Sequence, residues 1–211
     1  DHLVLLAEND RGYANLVRLV SAAYLEGFYH KPRISKDLLA SHSEGLIGLS
    51  ACLSGEVSRL LLARDETGAR AAAEGLNEIL GEGNFFLEIQ DHGTADEEFV
   101  RAGMVELSRE TGIDLVATND CHFHNREDTF AHRVLIGIGL NRDLEDLQQS
   151  YAYNAEFYVK SPEEMYDLFA DYPGACERTA EIASRCHVRF DTDSLHLPKF
   201  DVPNSGNLEA F

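Results

Sequence analysis

Ile113-Asp-Leu-Val-Ala-Thr-Asn-Asp-Cys-His122 begins as an apolar run of strand length and ends in side chains able to bind a metal. Similar apolar runs lie upstream at 2–7, 46–51 and 85–90, and each is followed by residues at helical spacing. After the first, Tyr13, Leu16, Val17, Val20, Ala23 and Tyr24 fall on one helical face, with Asp10 as a candidate cap and Gly27 just past the end. Ser35 opens a short helix, Ser54 is placed to cap a helix carrying Val57, Leu60 and Leu61, and an Ala-rich helix spans 67–80. Thr94 and Glu97 have capping-box spacing for a helix that buries Phe99, Val100, Met104 and Leu107 and stops near Gly112. A further helix is expected around 128–138. Strand–helix alternation at this spacing predicts a parallel α/β architecture, as a barrel or an open sheet.

The last third changes character. Ser161-Pro-Glu-Glu164 is a capping box with Pro at the first helical position, and it starts a helix with Met165, Leu168 and Phe169. Pro173 opens another, with Ala180, Ile182 and Ala183 expected to be buried. Leu197-Pro-Lys-Phe-Asp-Val-Pro-Asn-Ser-Gly206 is punctuated by Pro and Gly and reads as a connector. The expected division is therefore 1–150 and a helical segment at 151–211.

Composition narrows the function. At 44% hydrophobic the 211 residues can bury a core, and no apolar run approaches the roughly 20 residues of a membrane helix, so no membrane partner is expected. A net charge of −19 repels phosphate backbones at long range and argues against a free-standing duplex-binding module, although bound cations can still bring a phosphodiester to a local site. Cys52, Cys121, Cys176 and Cys186 have no C-x-x-C spacing and read as thiols of a reducing compartment, the cytoplasm. The chain opens on Asp1, directly in a strand-like run and without a secretory leader, which reads as a fragment. No phosphate-binding glycine loop, dinucleotide fingerprint or nucleophile elbow is present.

In parallel α/β folds, ligands gather where strands end. The second run ends at Cys52, the third at Asp91-His92, and the fourth at Asn119-Asp120-Cys121-His122. If the fourth strand continues, Asp120 and His122 lie on one face and converge. Imidazole, thiolate and carboxylate together suit zinc, manganese or iron, and such a site polarises a phosphoryl oxygen and activates water. The plainer alternatives are a capping Asp with a hydrogen-bonded His, a small buried thiol at Cys52, and a turn residue at His92. His2 begins its strand rather than ending it, so periodicity alone does not choose it. His132 reads as a packing histidine, and His30, His42, His124, His187 and His196 as surface or structural residues. The short basic and aromatic stretch Tyr29-His-Lys-Pro-Arg33 reads as an ordinary loop.

A series of motifs resembles one family. They are His2-Leu-Val-Leu-Leu-Ala-Glu-Asn9, Ala23-Tyr-Leu-Glu-Gly-Phe28, Ser50-Ala-Cys-Leu-Ser-Gly-Glu56, Phe86-Leu-Glu-Ile-Gln-Asp-His-Gly93, Val116-Ala-Thr-Asn-Asp-Cys-His122, Phe157-Tyr-Val-Lys-Ser-Pro-Glu-Glu-Met165 and Leu197-Pro-Lys-Phe200. In order and spacing they resemble the N-terminal polymerase-and-histidinol-phosphatase (PHP) domain of bacterial DNA polymerase III α subunits. The resemblance implies an incomplete PHP-type (βα)7 barrel over 1–150, followed by a helical connector toward a polymerase palm. It implies up to three divalent ions in a complete domain, with His2, Cys52, Asp120 and His122 as ligands and Asp120 and His122 as the catalytic pair. It also implies 3′→5′ proofreading in metal-retaining members, DNA and other replisome subunits as partners, and a cytoplasmic setting. The family's opening part, with a His-x-His motif, an Asp, another His and a bridging Glu, has no counterpart in these residues. The palm has none either, so polymerisation and a full trinuclear site are not expected of the chain alone. An exposed sheet edge near 2–7 and self-association are expected instead. A stand-alone phosphoesterase and a non-catalytic scaffold are the competing readings.

Overall fold

The computed structural model describes residues 1–147 and 153–195. The connector at 197–206, its Leu197-Pro-Lys-Phe200 motif and His196 lie outside the described residues.

Four strands, β1 (Val4–Ala7), β2 (Leu46–Leu49), β3 (Phe85–Ile89) and β4 (Leu115–Ala117), form one sheet in the order β1-β2-β3-β4. Between them run α1 (Asp10–Leu25), α2 (Lys36–Ala40), α3 (Glu56–Leu62), α4 (Glu66–Leu80) and α5 (Ala95–Thr111). After β4 come α6 (Thr129–Leu140), α7 (Leu144–Leu147), α8 (Pro162–Leu168) and α9 (Glu177–Arg185). The fold is mixed α/β.

β2, β3 and β4 are parallel, as the alternation predicted, but β1 is antiparallel to β2, with Val4 opposite Leu49 and Ala7 opposite Leu46. The reason lies in the crossover. α1 carries the chain away from the end of β1, and α2 and the following turn return it to that same end, where Glu8 N–H donates to the Gly45 carbonyl oxygen. Among the described residues β1 pairs only with β2 and is a sheet edge.

Both faces of the sheet are covered, so apart from Glu88 the central strands are buried and apolar rather than alternating. Leu46, Phe85, Leu87, Ile89 and Ala117 face the helices α1–α5 and share a core with Leu19, Val57, Leu61, Ala73, Leu76, Val100 and Met104. Ile47, Leu49, Phe86 and Val116 point the other way and pack on Ile182 of α9. α9 thus covers the second face, while Phe169 and Ala175 ahead of it join the first core, and Ala117 N–H donates to the Ala175 carbonyl oxygen. Only Ile182 of the three expected α9 residues is buried; Ala180 and Ala183 face solvent, because a nine-residue helix laid on a narrow sheet buries a single stripe.

Local chemistry sets most helix ends. Ser35 and Asp65 cap α2 and α4 with side-chain oxygens, and Ser161 with Glu164 forms the predicted capping box on α8. Asn9, rather than Asp10, caps α1 by accepting from Gly12 N–H. Gly55, rather than Ser54, precedes α3 and offers no side-chain cap. The buried face of α1 is also rotated from the expected one. Gly12, Asn15, Leu19 and Ala23 turn inward, while Tyr13, Val17, Val20 and Tyr24 remain exposed. Gly12 lies so close to the turn before β2 that an added Cβ would stand 1.8 Å from the Gly45 carbonyl oxygen. Asn15 faces the same turn and donates to the Glu44 carbonyl oxygen at 2.9 Å.

Candidate metal centre

Because β1 runs against β2, its beginning lies at the edge where the other strands end. His2 pairs with Gly55, its N–H donates to the Ser54 carbonyl oxygen at 2.9 Å, and its Nδ1 is 3.7 Å from Cys52 Sγ. The residue that periodicity could not choose is thereby brought to the thiol. Ala51, at φ 66°, turns the chain sharply between β2 and Cys52.

A groove of about 380 Å³ opens at this edge, lined by His2, Val4, Cys52, Glu88, Thr118 and Asp120 among others. His2, Val4 and Glu88 belong to the sheet face that α9 covers farther along, so the groove occupies the end of that face beyond the helix.

β4 stops at Ala117, so Asp120 and His122 are on a loop rather than on the continued strand. They nevertheless meet, with Asp120 Oδ1 at 3.3 Å from His122 Nε2. The loop is held by His122 N–H donating to the Phe157 carbonyl oxygen at 2.8 Å. The His122 ring packs against Tyr153, Phe157 and His132, and burial with His122 nearby lowers the His132 pKa. Asp120 lines the groove; His122 stands beside it in this aromatic pocket. All four cysteines are free thiols.

His92, the third strand-end candidate, is not available as a ligand. Its ring is fully buried and stacked on Phe157 at 3.9 Å. Nδ1 is 2.6 Å from Glu97 Oε1 and Nε2 is 3.1 Å from Asn119 Oδ1. Glu97 accordingly makes only half of the predicted capping box. It receives the Thr94 cap, but its own carboxylate accepts from His92 N–H at 2.8 Å and from the Thr94 hydroxyl at 2.9 Å. His92 thus ties the start of α5 to Asn119, the neighbour of Asp120.

Burial pushes the Glu97 carboxyl upward, but the hydrogen bonds and charge of His92, with help from Thr94, outweigh it and hold the pKa below its usual value of 4.5. A carboxylate depressed in the folded state contributes stability that is fully present above about pH 4.5 and is lost as pH falls through the depressed value. Glu97→Gln is expected to lower unfolding stability by about 1–3 kcal/mol at neutral pH. Urea unfolding of both proteins should show that difference shrinking as the pH falls below about 4.5 and through the depressed value. A difference independent of pH would refute the assignment.

Sequence reading passed over Glu88. It is only 6% exposed, and burial raises its pKa, partly offset by Thr118, the Ala51 amide and Gln90, with Asp120 adding to the rise. Its Oε1 accepts from the Thr118 hydroxyl and from Gln90 Nε2, while Oε2 has no hydrogen-bond partner. The available signal was a charge inside a strand, Phe85–Ile89, whose other residues are all apolar.

Among the described residues no three His, Cys, Asp or Glu side chains already surround a single point. The groove instead presents a His2–Cys52 pair and, from the loop after the strand on the other side of β3, Asp120 with His122 beside it. This donor set and the orphaned buried oxygen of Glu88 fit a divalent cation.

A mixed α/β fold with thiol, imidazole and carboxylates at its strand ends defines a class. Residues 1–92 match the PHP domain. Over nearly its whole length the chain matches a segment of DNA polymerase III subunit alpha. It is 42% identical over 96% of this chain to the Treponema pallidum protein and covers 17% of that protein. The corresponding protein of Thermus aquaticus is 41% identical over 99% of this chain, which covers 18% of it. That of Helicobacter pylori is 43% identical over 90% of this chain, which covers 16% of it. The chain therefore spans less than a fifth of the length of these relatives. Among the described residues no helix is long and apolar enough to cross a membrane.

Proposed function

We propose that this chain is a segment of a replicative DNA polymerase α subunit acting in the cytoplasm, and that its groove is a divalent-metal site for 3′→5′ excision in the full-length parent. Residues 1–150 are then part of an incomplete PHP-type (βα)7 barrel, and 151–211 a helical connector toward the polymerase palm. DNA is the substrate, and other replisome subunits are the partners. The observation that carries the polymerase reading is the 42% identity across 96% of the chain, which runs well past the PHP match at 1–92. A small stand-alone phosphoesterase has no need of that extension.

His2, Cys52 and Asp120 would hold the ions, with His122 reaching them through Asp120. Zinc, manganese or iron suits this mixed donor set. Bound ions would neutralise phosphodiester charge and provide hydroxide at neutral pH. A non-catalytic scaffold is the second reading, favoured by the separation of the donors into two pairs. The full-length parent, stripped with chelator, should lose excision of a 3′-mismatched primer terminus and regain it on adding zinc or manganese. Excision that is indifferent to chelation would dismiss the metal reading.

A further inference from the structure

Glu88 lines the groove from β3, between the strand that leads to Cys52 and the strand that leads to Asp120. One oxygen is committed, since Oε1 accepts from both Thr118 and Gln90. The other, Oε2, is buried and has no partner. An unsatisfied buried carboxylate oxygen carries a desolvation penalty, and folded proteins seldom retain one without a use for it. Among the described residues no lysine or arginine lines the groove, and its lining includes the thiol of Cys52, the ring of His2 and the carboxylate of Asp120. Two carboxylates facing a groove without cationic side chains repel each other until positive charge lies between them.

We propose that Glu88 is a ligand, through Oε2, for a divalent cation in this groove, together with the donors of the β1, β2 and β4 edges. This rests on the metal-site reading and extends it to a residue that the resemblance does not assign. The hydrogen bonds on Oε1 fit the role, because a ligating carboxylate is normally oriented by neighbours that bind its other oxygen. Thr118 stands two residues before Asp120, and Gln90 Nε2 also donates to the Thr118 hydroxyl at 3.1 Å. The triad Glu88–Thr118–Gln90 therefore fixes the carboxylate on β3 relative to the loop that carries Asp120.

The test uses the full-length parent stripped with chelator and titrated with cobalt(II), following the thiolate-to-cobalt absorption that reports Cys52. The wild type is compared with Glu88→Gln, with Cys52→Ser as the control that removes the band. Glu88→Gln is expected to weaken cobalt binding at least about tenfold, with an unchanged or higher melting temperature in the metal-free form. Unchanged cobalt affinity overturns the proposal and leaves the metal reading in place. A wild type that binds no cobalt overturns both. Should Glu88→Gln fail to fold, wild-type crystals grown with zinc decide the matter by anomalous scattering. A peak at about 2.0–2.2 Å from Glu88 Oε2 is the expected result, and a peak elsewhere, or none, overturns it.

Discussion

Asp120→Asn in the full-length parent is expected to reduce metal-dependent excision of a mismatched primer terminus at least about a hundredfold, near 2.7 kcal/mol in barrier height. The substitution is nearly isosteric, so the loop packing through His122, Phe157 and Asn119 should survive it. What changes is charge. Asp120 lines the groove and contacts His122 Nε2 at 3.3 Å, and an amide neither offsets cation charge nor orients that ring as a carboxylate does. On the proposed function, primer extension should stay within about twofold, because the palm that the resemblance implies would hold its metal ions with carboxylates of its own. Both activities are to be measured on one preparation, beside a thermal melt. Normal excision would refute the catalytic role. Equal loss of both activities with a large fall in melting temperature would favour the scaffold reading.

The second large effect is on folding. Gly12→Ala places a methyl group 1.8 Å from the Gly45 carbonyl oxygen, and both partners are backbone, so no side chain can rotate away. That oxygen already accepts from Glu8 N–H at 2.9 Å, and Gly12 N–H itself donates to the Asn9 cap at 3.0 Å. Relief requires α1 to shift from the turn before β2, which disrupts both hydrogen bonds and the Asn15 contact. The expected loss is about 3–5 kcal/mol, a large share of the stability of an ordinary domain. Gly75→Ala in α4 is the matched control. Nothing lies within 4 Å of its new methyl group, and the better helix former should be neutral or stabilising by up to about 1 kcal/mol. Urea denaturation of the two variants beside the wild type measures the contrast. A Gly12→Ala protein as stable as the Gly75→Ala protein would show that the close approach does not exist.

The strands were legible in the sequence for a physical reason. β2 and β3 are buried on both faces, so 46–51 and 85–90 read as mainly apolar runs whatever the surrounding topology. The direction of β1 was not legible. It depends on where α2 and its following turn return the chain, which no local pattern encodes. The α1 face was misread because Tyr13, Val17, Val20 and Tyr24 are apolar yet exposed, whereas the contact with the turn before β2 needs the small Gly12 and the amide of Asn15. The same logic governs the groove. Cys52, Asp120 and His122 stood out by donor chemistry. His92 shared that chemistry, but its nitrogens are spent on Glu97 and Asn119, a pairing across distant segments. Glu88 was hidden because a single carboxylate in a strand carries no motif.

The reversal of β1 also governs how this protein can be handled. Residue 2 is part of the groove wall, and Asp1 is held beside it by an ion pair to Arg59. An affinity tag fused directly ahead of Asp1 would therefore emerge at the mouth of the groove, and a polyhistidine tag there would bring competing imidazoles to the site. Such a tag should be cleaved off before any ion is counted.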